Sequence, residues 1–354
     1  MPERGRYSHR FKFDVPEPCN EAIPESDAFY TLNVLLGFSQ LPGLGGHEHA
    51  DIRKIYDACC REVGNPRVRT YMYGMGLWAG AKLDIAPPGL LIDRVMAFSA
   101  SPSTLHRLSA QDIGMLVSGT AAMALKEGER WRAAANIFAA HLSEHYHHPT
   151  THLFYNGSTG HRRRFSSFAS QVYSILALYH FGEAFGADWA IGLANMAAAQ
   201  VISLQGPHGE WGWFYYVPGG EVVDFYEIYS VHQHGMAPAF LHRAVEHGVP
   251  GAREALVKGF LWLFHDNEMS LSMLRPHERM FYRSQVREGE LDSIWRRTRR
   301  SIVNATLARS DTADNHRGLV LRKECRSYEL GWILWSFGAR SDYVEVTGRR
   351  EFVV

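Results

Sequence analysis

The segment RTYMYGMGLWAG, Arg69–Gly80, decides the architecture. Its apolar residues recur at helical spacing. Small residues crowd it, as they do in helices packed closely inside a ring of others. The segment GMLVSGTAAMA, Gly114–Ala124, has the same character. Both read as inner helices.

Helical spacing continues along almost the whole chain. Pro24 and Ser26 open a first helix, with Ser26 as its N-cap, running to about residue 40. Others follow at about 48–62, 69–83 and 88–98, the last begun by Pro87-Pro88. Ser109-Ala-Gln-Asp112 reads as a capping box for a helix at about 109–126. Further helices at about 129–146, 167–182, 187–204, 228–247, 251–268, 289–308 and 326–338 bring the count to about twelve. Sustained strand alternation is missing, and only Glu221-Val-Val and Tyr343-Val-Glu-Val form short strand candidates.

The connections sort by parity. Breaks after odd-numbered helices are mostly short, such as Glu127-Gly128 and Gly248–Pro250. Breaks after the sixth, eighth and tenth helices are long, at about 147–166, 205–227 and 269–288. Loops of that length in a compact domain are functional or disordered, and these are rich in aromatics and Arg. In consecutive antiparallel hairpins, every even-to-odd connection emerges on one side. The expected fold is therefore all-α: an (α/α)6 toroid of about twelve helices with one long-loop face and the odd helices inside. The break at about 309–325 departs from the parity. A helical stack or solenoid is the competing arrangement. Residues 1–354 read as one domain, with an N-terminal arm over 1–25 and a C-terminal tail over 339–354.

Composition narrows the function. Lys plus Arg (37) equals Asp plus Glu (37), which argues against a general nucleic-acid binder. Cys19, Cys59, Cys60 and Cys325 form no CxxC, so neither a zinc ribbon nor a disulfide framework is expected. The N-terminus MPERGRYSHRFKFDVPEP lacks the apolar run of a secretory signal. No uncharged apolar stretch is long enough to span a membrane, and the expected location is the cytoplasm.

Gln205-Gly-Pro-His-Gly209-Glu-Trp211 fits Gln-x-x-x-Gly-x-Trp. It resembles the QW motif of the squalene-hopene and oxidosqualene cyclases, which are α/α toroids. The resemblance covers seven residues, occurs once, and implies architecture. Those cyclases protonate substrate with Asp-x-Asp-Asp, whereas the nearest match here, Asp311-Thr-Ala-Asp314, has different spacing. The segments Tyr229–Pro238 and Glu324–Trp332 are similar to uncharacterised bacterial proteins associated with polysaccharide biosynthesis.

The stretch GEWGWFYYVPGGEVVDFYEIYSVHQHG (Gly209–Gly235), running from the long loop after the eighth helix into the ninth, is the densest in chemistry. Trp211, Trp213, Tyr215, Tyr216 and Tyr226 supply flat rings with polar tips, which suit the C–H faces and hydroxyls of sugars. About half of such rings belong to the core. Glu210, Asp224, Glu227, Tyr229, His232 and His234 are the catalytic candidates. A helix beginning near Phe225 would place Glu227 and His234 on one face, with Tyr229 and His232 beside them. The helix N-terminus holds a nearby His neutral and ready to act as a base. Pro238 should kink this helix.

The loop Asn156–Phe165 carries Arg162, Arg163 and Arg164, whose forked guanidinium groups suit carboxylate, sulfate or phosphate. Tyr282 and Arg283 from the third long loop, and Tyr71 and Tyr73 of the third helix, complete the substrate-binding candidates. His141-Leu-Ser-Glu144-His145 matches the zinc motif His-x-x-Glu-His, and His147, His148 and His152 follow. With 19 His a chance match is easy, and the motif ends an outer helix with no partner Glu helix in view. His47-Glu-His49 is a shorter match of the same kind. No metal or cofactor is assigned.

These candidates describe a carbohydrate-active enzyme acting on an anionic, uronate-type poly- or oligosaccharide. As a lyase or epimerase it would pair Arg with the carboxylate and use His or Tyr as the base. As a hydrolase it would use two of Glu210, Asp224 and Glu227. A terpenoid cyclase or isomerase lined by the same rings, and a non-catalytic glycan-binding protein, are the alternatives.

Overall fold

The computed structural model describes residues 6–13, 15–41, 47–278, 280–291, 295–296, 299–300, 303–304 and 318–348. Among these, an inner ring is formed by α1 (Pro24–Phe38), α3 (Tyr71–Leu83), α5 (Ala110–Glu127), α7 (Phe168–Phe185), α9 (Ala237–Glu246) and α11 (Ser327–Phe337). Each packs on the next, and α11 returns to α1, so the ring closes. Outside it lie α2 (His47–Arg61), α4 (Gly89–Ala100), α6 (Glu129–Tyr146), α8 (Asp188–Ser203) and α10 (Ala252–Leu261). The architecture is an α/α toroid.

Glycine makes the ring possible. Each interior glycine costs a helix about 1 kcal/mol relative to alanine, and here close approach offsets that cost. A Cβ on Gly74 of α3 would run into the Met115 carbonyl of α5, and one on Gly119 would strike the Gly74 carbonyl. At the closing seam a Cβ on Gly37 would lie 2.5 Å from the Gly331 carbonyl, and one on Gly331 2.5 Å from the Asn33 carbonyl. At one end, large rings fill the centre. Trp78 stands edge-on to Trp335 (5.0 Å between centroids) and to the half-buried His180 (4.8 Å).

Asp112 locks two inner helices at once. Its carboxylate accepts from the Ser109 amide (2.8 Å) and hydroxyl (2.6 Å), while Ser109 Oγ accepts from the Asp112 amide, forming the expected capping box. Its other oxygen accepts from the Tyr71 amide at 2.8 Å and so caps α3. An N-cap is worth about 1 kcal/mol. Asp112→Ala should therefore cost about 2 kcal/mol and Ser109→Ala about 1 kcal/mol in urea unfolding.

The sixth hairpin differs from its sequence reading. The helix expected at about 326–338 is not an outer one: as α11 it is the sixth inner helix. Among the described residues it is followed by the short α12, Val344–Thr347, which packs on α10 and stands where a strand was expected. The stretch expected at 289–308 lies inside one long connection from α10 to α11, and the described residues Trp295, Arg296, Arg299, Arg300, Val303 and Asn304 within it are helical. Parity thus holds without the break at 309–325. Residues 311–314 lie outside the described residues, as do the side chains of His47 and His49. Ser26 is not the cap of α1: the helix begins at Pro24, and Asp27 Oδ1 accepts from the Ile23 amide at 3.0 Å. Ahead of α9 a π-helical turn, His232–Met236, widens the helix directly before Pro238.

Gln205 explains its own corner. Its Nε2 donates to the Gly209 carbonyl and to the Ala255 carbonyl of α10, both at 2.9 Å. Trp211 is buried and stacks on Phe168 at 5.4 Å. The motif therefore ties the exit of α8 to α10 and to the start of α7.

Short strands cover the long-connection end. β1 (Arg10–Lys12) lies between β2 (Cys19–Glu21) and β11 (Glu324–Cys325). β4 (Phe214–Tyr216) lies between β3 (Phe165–Ser167) and β5 (Glu221–Asp224). β9 (Ser284–Arg287) lies between β6 (Ile228–Tyr229) and β10 (Leu319–Arg322), and β7 (Leu274–Arg275) pairs with β8 (Met280–Phe281). No helix among the described residues is long and apolar enough to cross a membrane.

Candidate functional site

The chain enters every inner helix from the long-connection end, so the first turns of the inner helices surround one mouth. Tyr71 and Tyr328 stand in the first turns of α3 and α11, and Tyr30 stands in α1. The N-terminal arm, held by β1 against β11, lays His9 over Tyr30 at 4.5 Å. Tyr30 stacks in turn on Tyr328 at 4.3 Å and accepts from Arg326 Nη1 at 2.9 Å. Tyr30, Tyr71, Tyr229 and Arg326 are half-buried, so the cluster opens to solvent through them.

Arg283 sits beneath. It is buried, pairs with Glu324 at 3.2 Å and Glu329 at 3.4 Å, and lies 4.7 Å over the Tyr229 ring. Arg10 (3.2 Å) and Arg326 (3.0 Å) also pair with Glu324. Tyr229 is 5.0 Å from His232, whose ring also meets Phe168 at 4.6 Å. Nδ1 of His232 is buried and meets no hydrogen-bonding partner among the described residues. Burial, then the neighbouring Arg283 charge, push the His232 imidazolium down to about 3, so the ring is neutral near pH 7. Burial raises the Glu329 carboxyl to about 7 against the pull of Arg283 and Arg326.

The two acids of the aromatic loop are held by arginines. Asp224 is buried and pairs with Arg287 Nη1 at 2.9 Å, and that guanidinium also covers the Tyr226 ring at 4.6 Å. The β6–β9–β10 ladder sets Tyr229 and Arg322 opposite Ser284. All three converge on Glu227: Tyr229 donates at 3.2 Å, Arg322 Nε at 2.8 Å, and Ser284 Oγ through a short hydrogen bond. Glu210 lies apart, at the Gln205 corner, where it accepts from the His208 amide at 2.8 Å.

The other candidates separate into core and rim. His234 is wholly buried and packs on Phe281 at 4.6 Å. Trp211, Tyr215 and Tyr226 are core, and Tyr73 is buried near Phe98. Tyr282 is buried and stacks on Phe13 of the arm at 5.4 Å. Trp213 and Tyr216 stay half-buried. Arg162, Arg163 and Arg164 are exposed on the rim and form no ion pair among the described residues. Arg163 covers the Tyr155 ring at 5.5 Å, and Arg164 donates to the Tyr216 hydroxyl at 3.2 Å. Four residues beyond Arg164 is Phe168, which touches His232, so the rim leads into the mouth.

No protein-family model matches the chain, and no curated protein matches its sequence. Solved structures do match it. A sugar epimerase from a ruminal bacterium superposes with a TM-score of 0.61 at 9% identity, over 95% of this chain and 92% of that one. The GH76A α-1,6-mannanase of a Salegentibacter species gives 0.58 at 10% identity, over 96% and 94%. A polysaccharide lyase gives 0.57 at 12% identity, over 90% of each chain. What they share with this chain is the toroid. At such low identity the likeness is one of fold, and it spans the chain nearly end to end.

Sequence reasoning missed His9, Tyr30, Arg326 and Tyr328. The signal for the last two was present, because Arg326 and Tyr328 flank the start of α11 and an inner helix opens at the mouth. His9 and Tyr30 carry no local signal, since an arm and a helix bring them there from the other end of the chain.

Proposed function

We propose that the axial mouth is the active site of a carbohydrate-active enzyme working on an anionic, uronate-type poly- or oligosaccharide, by lyase or epimerase chemistry. The observation that carries this is a neutral, buried His232 beside Tyr229, with the Arg283 guanidinium over that phenol. A base and a cation so close can remove a proton α to a carboxylate and stabilise the charge that develops. In a uronate this is the C5 proton. The carbanion then expels the C4 substituent in a lyase, or takes a proton on the opposite face in an epimerase. The aromatic walls offer stacking for sugar rings, and Arg162–Arg164 draw the carboxylates toward the mouth.

Two further points support this reading. The matching structures carry the names sugar epimerase and polysaccharide lyase, alongside a mannanase. A hydrolase needs two available carboxylates flanking the bond, and here Asp224 and Glu227 are committed to Arg287 and Arg322. A depression of about 640 Å3, lined by Arg287, Glu290, Trp295, Arg296, Arg299 and Arg300, opens on the α10–α11 connection and offers further cationic surface for an anionic chain.

A thermal-shift panel of uronate and neutral oligosaccharides tests the substrate class. A ligand at about 100 times its Kd adds about 2.7 kcal/mol, a rise of several degrees. Uronates should produce that rise, neutral glycans should not, and Arg164→Ala should reduce it. Equal stabilisation by neutral oligosaccharides would remove the anionic half of the proposal.

A further inference from the structure

We propose that His106, His141 and His145 form a binding site for a divalent transition metal, zinc by preference, at the outer rim of the toroid. His141 and His145 are one turn apart on α6. His106 comes from a separate element, the 3-10 segment Pro102–Arg107 between α4 and α5. The three rings face one another with centroids 4.7, 4.7 and 4.5 Å apart. One ring nitrogen from each falls within 4.8 Å of the other two. Around tetrahedral zinc, with Zn–N bonds of about 2.0–2.1 Å, the donors would stand about 3.3 Å apart. Small side-chain rotations close that difference, because His106 is exposed and His145 half-buried.

Two details distinguish this cluster from packed histidines. Nε2 of His141 is buried and has no hydrogen-bonding partner among the described residues, a costly state that a metal would relieve. Nδ1 of His106 lies 3.3 Å from Ser158 Oγ, which in turn donates to the His106 carbonyl at 3.2 Å. That contact occupies Nδ1 and leaves Nε2 as the nitrogen available to a metal, as outer partners of metal-bound histidines do. Three imidazoles and no thiolate suit zinc and its neighbours, with water as the fourth ligand. The Glu144 carboxylate lies 4.0 Å from His145 Nε2.

The place gives the metal a consequence. Ser158 belongs to the loop that carries Arg162–Arg164, and Gly157 of that loop bridges to Ser109 at the start of α5. A metal here would fasten α6, the Pro102–Arg107 segment and the arginine rim together. The sequence shows the His141–His145 pair but not the third ligand, which lies 35 residues earlier and is brought in by the fold.

The test is calorimetric titration of the chelator-treated full chain with zinc, read beside the visible spectrum with cobalt. One equivalent should bind, with a tetrahedral cobalt spectrum. His106→Ala removes an exposed side chain and should fold normally, yet weaken binding by about 100-fold and abolish that spectrum. His152→Ala, a control at the neighbouring His147–His152 pair, should change neither. Absence of zinc binding, or binding unchanged in His106→Ala, overturns the site.

Discussion

Gly74→Ala should destabilise the protein by about 3 kcal/mol or more, the upper range for overpacking a core. The added methyl has nowhere to go. It would run into the Met115 carbonyl, a backbone atom of the neighbouring inner helix, and not into a side chain that can turn aside. Relief requires α3 and α5 to separate, and each is held on its other side by the ring. Gly192 of α8 is the control. It is exposed, nothing lies within 4 Å of a Cβ built there, and it sits mid-helix. Gly192→Ala should therefore stabilise by about 1 kcal/mol through helix propensity alone. Equilibrium unfolding in urea reads both. Equal effects of opposite expectation, with Gly74→Ala as benign as Gly192→Ala, would mean that α3 and α5 do not abut.

His232→Gln should lower turnover on a uronate substrate by about 10²- to 10⁴-fold, the usual contribution of a general base. Binding should persist, because the aromatic walls and the arginines stay in place. The pH profile carries a second sign. His232 must be neutral to accept a proton, and its folded value lies near 3 against an ordinary value of 6.5. Activity should therefore show no loss attributable to this group as pH falls from 7 to 5. Stability behaves differently. Below pH 6.5 the unfolded chain takes up protons that the buried ring refuses, so stability falls with acid toward pH 3. His9 and His234, also pushed to about 3, chiefly by burial, add to the same slope.

How far the sequence reaches can be judged from particular residues. Gly74 and Gly119 announce the inner layer, because each lies against the backbone of the neighbouring inner helix. Ser109 and Asp112 announce a helix start by chemistry that acts over three residues. The sixth hairpin fails this local reading. Residues 289–308 have a helix-like pattern, and periodicity reports a helix without reporting whether it joins the ring. Counting it displaced Ser327–Phe337 from inner to outer, and with it Arg326 and Tyr328 from the mouth.

The site shows the same limit. Asp224 and Glu227 look like free acids at a helix start, because their partners Arg287 and Arg322 come from strands 63 and 95 residues away. His232 and His234 are alike in sequence. The π-helical turn decides between them, sending one beside Tyr229 and the other against Phe281. The rings of the aromatic loop divide similarly, with Trp211, Tyr215 and Tyr226 in the core and Trp213 and Tyr216 toward solvent.

The most direct measurement is proton exchange at the sugar itself. Uronate oligosaccharides would be incubated with the protein in D2O and followed by NMR at the C5 position. Base catalysis by His232 in the mouth predicts deuterium at C5 in an epimerised product, or loss of the C5 proton with a new C4–C5 double bond. Either signal should fall at least about 100-fold in His232→Gln. Cleavage of the glycosidic bond with C5–H intact, or exchange that persists unchanged in His232→Gln, would contradict the account.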